Sequence, residues 1–114
     1  RMYGWDGSVW GQLGADINGE AAGDWAGYSV SLSSDGGKIA IGARYNSGNV
    51  SRSGHVRVYS WDGSVWGQVG SDIDGQANDD QSGLSVSLSA DGSTVAIGGP
   101  YWDSSNTGNV RIFS

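Results

Sequence analysis

The sequence predicts an all-β fold, a tandem repeat of four-stranded antiparallel units, and three observations carry that prediction. Residues 3–45 align with residues 59–101 at an offset of 56 with 27 identities in 43 positions. Fixed self-similarity of this kind marks solenoids, propellers and arrays. Apolar residues alternate with Ser at period two in Tyr28-Ser-Val-Ser-Leu-Ser33 and again in Leu84-Ser-Val-Ser-Leu-Ser89, the spacing of half-buried strands. No stretch repeats at the helical period.

Each unit supplies four strands in order. Strand A is 28–33, with its copy at 84–89. Asp35-Gly36 and Asp91-Gly92 follow, and such pairs favour type I′ hairpin turns. Strand B is 38–42, copied at 94–98. Two Ser/Asn/Gly-rich stretches of unequal length come next, 46–53 and 102–107, and an indel confined there marks a surface loop. Strand C is 55–61, with partial copies at 1–5 and 109–114. Asp62-Gly-Ser64 turns the chain into strand D, from 65 to about 73, and Asp6-Gly-Ser8 does the same for 9 to about 17.

Four-stranded units in series are the blades of a β-propeller. Blades pack face to face, so inner strands need small or apolar residues on both faces; Ala40, Ile41 and Gly42, with Ala96, Ile97 and Gly98, meet that need. A two-sheet sandwich would not require copies this alike. About two blades are expected: 1–26 as strands C and D of one blade, 27–82 as a complete blade with its connecting loop, and 83–114 as strands A, B and C of another. Arg1-Met-Tyr-Gly4 aligns inside strand C, and the chain stops inside the same strand, as expected of a piece or repeating unit of something larger.

The run Gly83-Leu-Ser-Val-Ser-Leu-Ser-Ala-Asp-Gly-Ser-Thr-Val-Ala-Ile-Gly-Gly-Pro100 resembles the FG-GAP repeat of integrin α-type propellers and of many microbial surface proteins. Ser53-Gly-His-Val-Arg-Val-Tyr59 and Trp61-Asp-Gly63 are similar to a microbial subgroup of that family. The resemblance implies an extracellular or cell-surface protein. It also implies calcium loops between strands A and B, but here these are reduced to Ser34-Asp-Gly36 and Ala90-Asp-Gly92. One carboxylate cannot furnish the six to eight oxygens that calcium prefers, so no metal or other cofactor is expected. The fallback for calcium is Asp72, Asp74 and Asp80 in the loop after strand D, where side chains of this kind more often cap their own backbone.

Composition removes several function classes. The 114 residues carry 12 acidic and 6 basic side chains, a net charge of −6, which repels nucleic acid. No apolar run approaches the roughly 18 residues of a membrane span. Zero Cys removes disulfides, zinc fingers and thiol catalysis. The single His, His55, is Asn109 in the other copy, and its neighbour Ser53 merely shares its face. No Gly-x-Ser-x-Gly or phosphate-cradling loop is present, so no enzyme is expected.

Trp5, Trp10, Trp61 and Trp66 recur between copies and read as packing of the C–D hairpin. Trp25 and Trp102 face Gln81 and Asn46 in the alignment, so the blade core does not need them, and they are candidate contact residues for a sugar ring or a protein surface. Asn49-Val-Ser51 fits the N-glycosylation acceptor rule within the longer variable loop. The expected function is a non-catalytic extracellular structural repeat protein. It would self-associate head to tail through blade strands into a larger propeller or fibre, its partners being copies of itself or adjoining repeats. The alternative is an adhesin- or lectin-like propeller module that binds carbohydrate or protein.

Overall fold

The alternation of apolar residues with Ser and Gly becomes ten strands in a computed structural model that describes residues 1–46, 53–77, 79–99 and 108–114. They are β1 (Tyr3–Trp5), β2 (Trp10–Gln12), β3 (Ala26–Leu32), β4 (Lys38–Ala43), β5 (His55–Trp61), β6 (Trp66–Gln68), β7 (Ile73–Asp74), β8 (Ser85–Leu88), β9 (Val95–Gly99) and β10 (Asn109–Phe113). There is no helix among the described residues. The strands form a two-stranded sheet β1-β2, a sheet β3-β4-β5-β6 with β7 also on β5, and a three-stranded sheet β10-β9-β8. All of these pairings are antiparallel.

Two details depart from the sequence expectation. Strand D is not continuous: β6 pairs the end of β5 through Tyr59↔Gln68, and β7 pairs its start through Val56↔Ile73, so the register advances by two residues between them. Gly70, at φ 71°, sits in the interruption, a left-handed conformation that glycine adopts without steric cost. The A–B turns are not type I′, because neither Asp35 nor Asp91 has positive φ; only Gly36 and Gly92 do, both at 72°. Each Asp instead uses its carboxylate locally. Asp35 accepts from Gly37 N–H at 2.8 Å and from Ser33 Oγ at 2.9 Å, and Asp91 accepts from Ser93 N–H at 3.0 Å. With Gly36 N–H donating to the Ser33 carbonyl at 3.0 Å, this is a four-residue loop built on an ordinary turn.

The core lies between two sheets. Ala40 and Val56 pack with Leu88, Val95 and Ile97, and Val58, Ile73, Val86 and Phe113 close the edges. The same face of the sheet, at β3, approaches β8 through polar contacts: Ser29 Oγ donates to the Gly83 carbonyl at 2.7 Å, and Ser31 Oγ accepts from Leu88 N–H at 3.0 Å. A Cβ on Gly42 would lie 2.1 Å from the Gly83 carbonyl oxygen, so the approach requires glycine there. Small residues near the seam and apolar residues beside it therefore hold one blade against the next.

Ile97 is 1% exposed and Ile112 is 69% exposed, in neighbouring strands of one sheet. Ile97→Ala should lower the stability of the dilute chain by about 2–5 kcal/mol. Ile112→Ala should change it by no more than about 0.5 kcal/mol. Urea unfolding followed by Trp fluorescence checks both, and similar losses for the two variants would contradict this packing.

Candidate functional site

Strand β5 places His55 and Arg57 two residues apart, hence on one face of the sheet. That face meets the loop that leads from β2 into β3. Arg57 Nε donates to Asp72 Oδ1 at 2.8 Å and Arg57 NH2 to Asp72 Oδ2 at 3.0 Å, a bidentate pair. The same guanidinium reaches Glu20 Oε1 at 3.0 Å. Gln68 Nε2 adds a bond to Asp72 Oδ1 at 2.7 Å. The Arg57 hydrogen bonds hold the Asp72 carboxyl down at about 2 and raise the guanidinium's own pKa.

Glu20 is fixed from its other side. Asn46 Nδ2 donates to Glu20 Oε1 at 3.1 Å and to Asp24 Oδ2 at 2.8 Å. His55, 3% exposed, points Nδ1 between the two carboxylates, 3.4 Å from Glu20 Oε1 and 3.7 Å from Asp72 Oδ2. That nitrogen makes no hydrogen bond among the described residues. Burial, with the Arg57 charge beside it, lowers the His55 pKa. The ring faces two carboxylates.

The Arg–Asp–Gln device belongs to the repeat. Arg1 Nε donates to Asp16 Oδ1 at 3.1 Å and Gln12 Nε2 to the same oxygen at 2.6 Å, but at the surface. In the third unit Arg111 aligns with Arg57, yet its sheet holds no strand D; its NH1 donates to the Asp74 carbonyl at 2.9 Å and its guanidinium lies 4.8 Å from the Phe113 ring.

A second feature is the outward face of β3. Tyr28, Val30 and Leu32 are all at least half exposed. Trp25, at φ 61°, stacks on Tyr28 with ring centroids 5.9 Å apart and meets Tyr45 edge-on at 4.8 Å. The Arg44 guanidinium covers these rings, 4.5 Å from Tyr28, 4.4 Å from Tyr45 and 5.4 Å from Trp25, within cation–π range. The aligned Gln81 has φ 53°, so the left-handed backbone at this position belongs to the repeat and not to the tryptophan. At the far end of the molecule β10 exposes Val110 and Ile112.

Asn49 and Trp102 lie outside the described residues. Asp72 joins Glu20 and His55, and among the described residues this is the group of three potential metal ligands that converges; Asp74 and Asp80 are not part of it. Asp80 Oδ2 accepts from Gln76 and Ala77 N–H, both at 2.8 Å, bracing its own loop. Sequence reasoning passed over Glu20 and treated His55 as unremarkable because it does not recur. The signal was present in the alignment: Glu20 and His55 change together to Gln76 and Asn109, from a carboxylate and an imidazole to two amides.

Residues 17–59 match the family model of the FG-GAP repeat, a β-propeller-type repeat. No curated protein matches the chain. FG-GAP repeats are common in extracellular and surface proteins and are typically non-catalytic. The fold is an all-β, β-propeller-type tandem repeat of four-stranded antiparallel blades. No helix among the described residues is long and apolar enough to cross a membrane.

The chain holds an Arg–Asp pair in two settings, half-buried with Glu20 as a second carboxylate and exposed without one. Arg57→Leu leaves Asp72 and Glu20 without their cation in a half-buried site and should lower stability by about 1–3 kcal/mol. Arg1→Leu breaks the exposed copy and should leave stability close to that of the wild type. Thermal or urea unfolding checks both, and equal effects would show that the setting does not govern the cost.

Proposed function

We propose that this chain is a non-catalytic, extracellular structural repeat whose sheet faces pack head to tail on further copies of itself. One observation carries the reading: the internal blade interface has two unfilled halves at opposite ends of the molecule. Leu88 and Val56, 9% and 0% exposed, belong to one core cluster. Leu32, the repeat equivalent of Leu88, is 50% exposed, and Val110, the equivalent of Val56, is 69% exposed. The face with Tyr28, Val30 and Leu32 is one half of the interface; the face with Val110 and Ile112 is the other. Apolar residues left in water on both halves favour their union at roughly 25 cal/mol for each Å² buried.

The tryptophan hairpins follow the same logic. Trp66 Nε1 donates to the Leu13 carbonyl at 3.0 Å, and Gly14 packs beneath Trp61. The repeat-equivalent partners, Trp10 and Val69, are both exposed. In a head-to-tail pair Trp10 of one copy meets Val69 of the next. Strand D of the copy that supplies Trp10 (9 to about 17) then pairs with the A-B-C sheet of the copy that supplies Val69, and its Asp16 reaches Arg111 there. The division into 1–26, 27–82 and 83–114 is then that of two incomplete blades flanking a complete one. Such heterologous contacts close into a ring or run on as a filament.

The second reading, a glycan- or protein-binding module, draws on the exposed Trp25–Tyr28–Arg44 cluster. On the self-association reading the same cluster borders the copy-to-copy contact and Trp25 is a contact residue. Asn49, and Trp102 as a further contact residue, belong to the proposal through the variable loops.

Sedimentation velocity separates the two readings. The wild-type chain should form concentration-dependent assemblies, and Ile112→Lys and Leu32→Lys, both at exposed positions, should each reduce the species formed to the monomer. Mixing the two variants should give a discrete heterodimer, because each retains the face that the other has lost. A wild-type chain that stays at 11.8 kDa over a wide concentration range would overturn the proposal.

A further inference from the structure

Three potential ligand atoms face one another beside β5. His55 Nδ1 is 3.4 Å from Glu20 Oε1 and 3.7 Å from Asp72 Oδ2, and ligand atoms of all three residues lie within 4.8 Å of one another. With the ring proton of His55 on Nδ1, the N–H meets no acceptor in hydrogen-bonding geometry among the described residues. With the proton on Nε2, the ring turns a lone pair toward two carboxylates, which calls for an electropositive centre between them. Arg57 provides part of it, but the guanidinium lies against the carboxylates and gives nothing to the imidazole, whose Nδ1 is buried and without a hydrogen bond among the described residues. Protonation of the ring is the other way to supply the charge, and burial works against it.

We propose that Glu20, His55 and Asp72 form a site for a divalent transition-metal ion of the zinc type. Two ligand atoms bound at about 2.0–2.1 Å with tetrahedral angles stand roughly 3.3 Å apart, close to the His55–Glu20 separation. An imidazole nitrogen with two carboxylate oxygens suits zinc, nickel or copper; calcium and magnesium take oxygen ligands and in greater number. Three protein ligands leave a fourth position for water. Arg57 and Gln68 hold Asp72, and Asn46 holds Glu20, as outer partners that orient the ligands. The Arg57 charge lowers the affinity for a dication, which places the site in the weak to moderate range and not among structural zinc centres.

The second copy supplies the internal control. At the equivalent positions the chain carries Gln76 and Asn109, amides that fit the same backbone and cannot replace a carboxylate and an imidazole together. The ligands lie in one chain, so the site is independent of the head-to-tail assembly.

Zinc titrated calorimetrically into the metal-stripped chain at pH 7 tests the proposal, with thermal melts in parallel. The wild-type chain should take up one zinc ion and melt at a higher temperature with it. His55→Asn and Glu20→Gln, substitutions that the repeat already tolerates, should each weaken zinc binding at least tenfold while leaving the circular dichroism spectrum unchanged. Glu20 is on a surface loop, so that variant reports even if a change at His55 impairs folding. The proposal is overturned if zinc produces no heat, or if Glu20→Gln binds it as the wild type does. It is also overturned if stability is zinc-independent and falls as pH rises through the histidine range, for the cation would then be the imidazolium.

Discussion

Everything else in this molecule depends on the packing of one blade's strand A against the sheet before it. A four-stranded sheet of three- to seven-residue strands cannot bury its apolar residues alone, and here the burial comes from a neighbouring sheet. The close approach is set by Gly42 and by the Ser29 and Ser31 hydroxyls, which bridge to the Gly83 carbonyl and the Leu88 amide. The apolar seam of Ala40, Val56, Leu88 and Ile97 lies alongside. The abundance of Gly and Ser, which in another setting would suggest disorder, is what lets two sheets come within hydrogen-bonding distance of one another.

The polar joint built on β5 lies on the other face of the same sheet. Glu20 comes from the loop ahead of the blade, while His55, Arg57 and Asp72 come from its strands C and D. The linkage therefore ties the preceding loop to one face of the sheet, while the apolar seam packs the other face on the next sheet. The repeat keeps the Arg–Asp pair and varies the His–Glu pair, so orientation is common to the units and the electropositive demand is confined to one of them.

Much of the fold was legible because its signals are local. Period-two alternation located β3 and β8, and β5 spans the strand C expected at 55–61. The break in strand D was not legible, since Gly70 reads in sequence like any other glycine and its left-handed φ is decided by pairing with β5. The turn at Asp35 differed because a carboxylate that can accept from Ser33 and Gly37 holds another loop geometry. The site was harder still. Glu20 and Asp72 are separated by most of a repeat, and only the fold brings both beside His55.

The central claim is that the exposed ends of the chain are complementary halves of the interface seen inside it. Because the chain has no cysteine, single cysteines report on this without background. Chains carrying Val30→Cys are mixed with chains carrying Val110→Cys and oxidised gently; the internal equivalents, Val86 and Val56, share one core cluster. The account predicts that the mixed disulfide dimer dominates over either homodimer, and that it forms fastest at high protein concentration. Random pairing, with homodimers in statistical proportion, would contradict it.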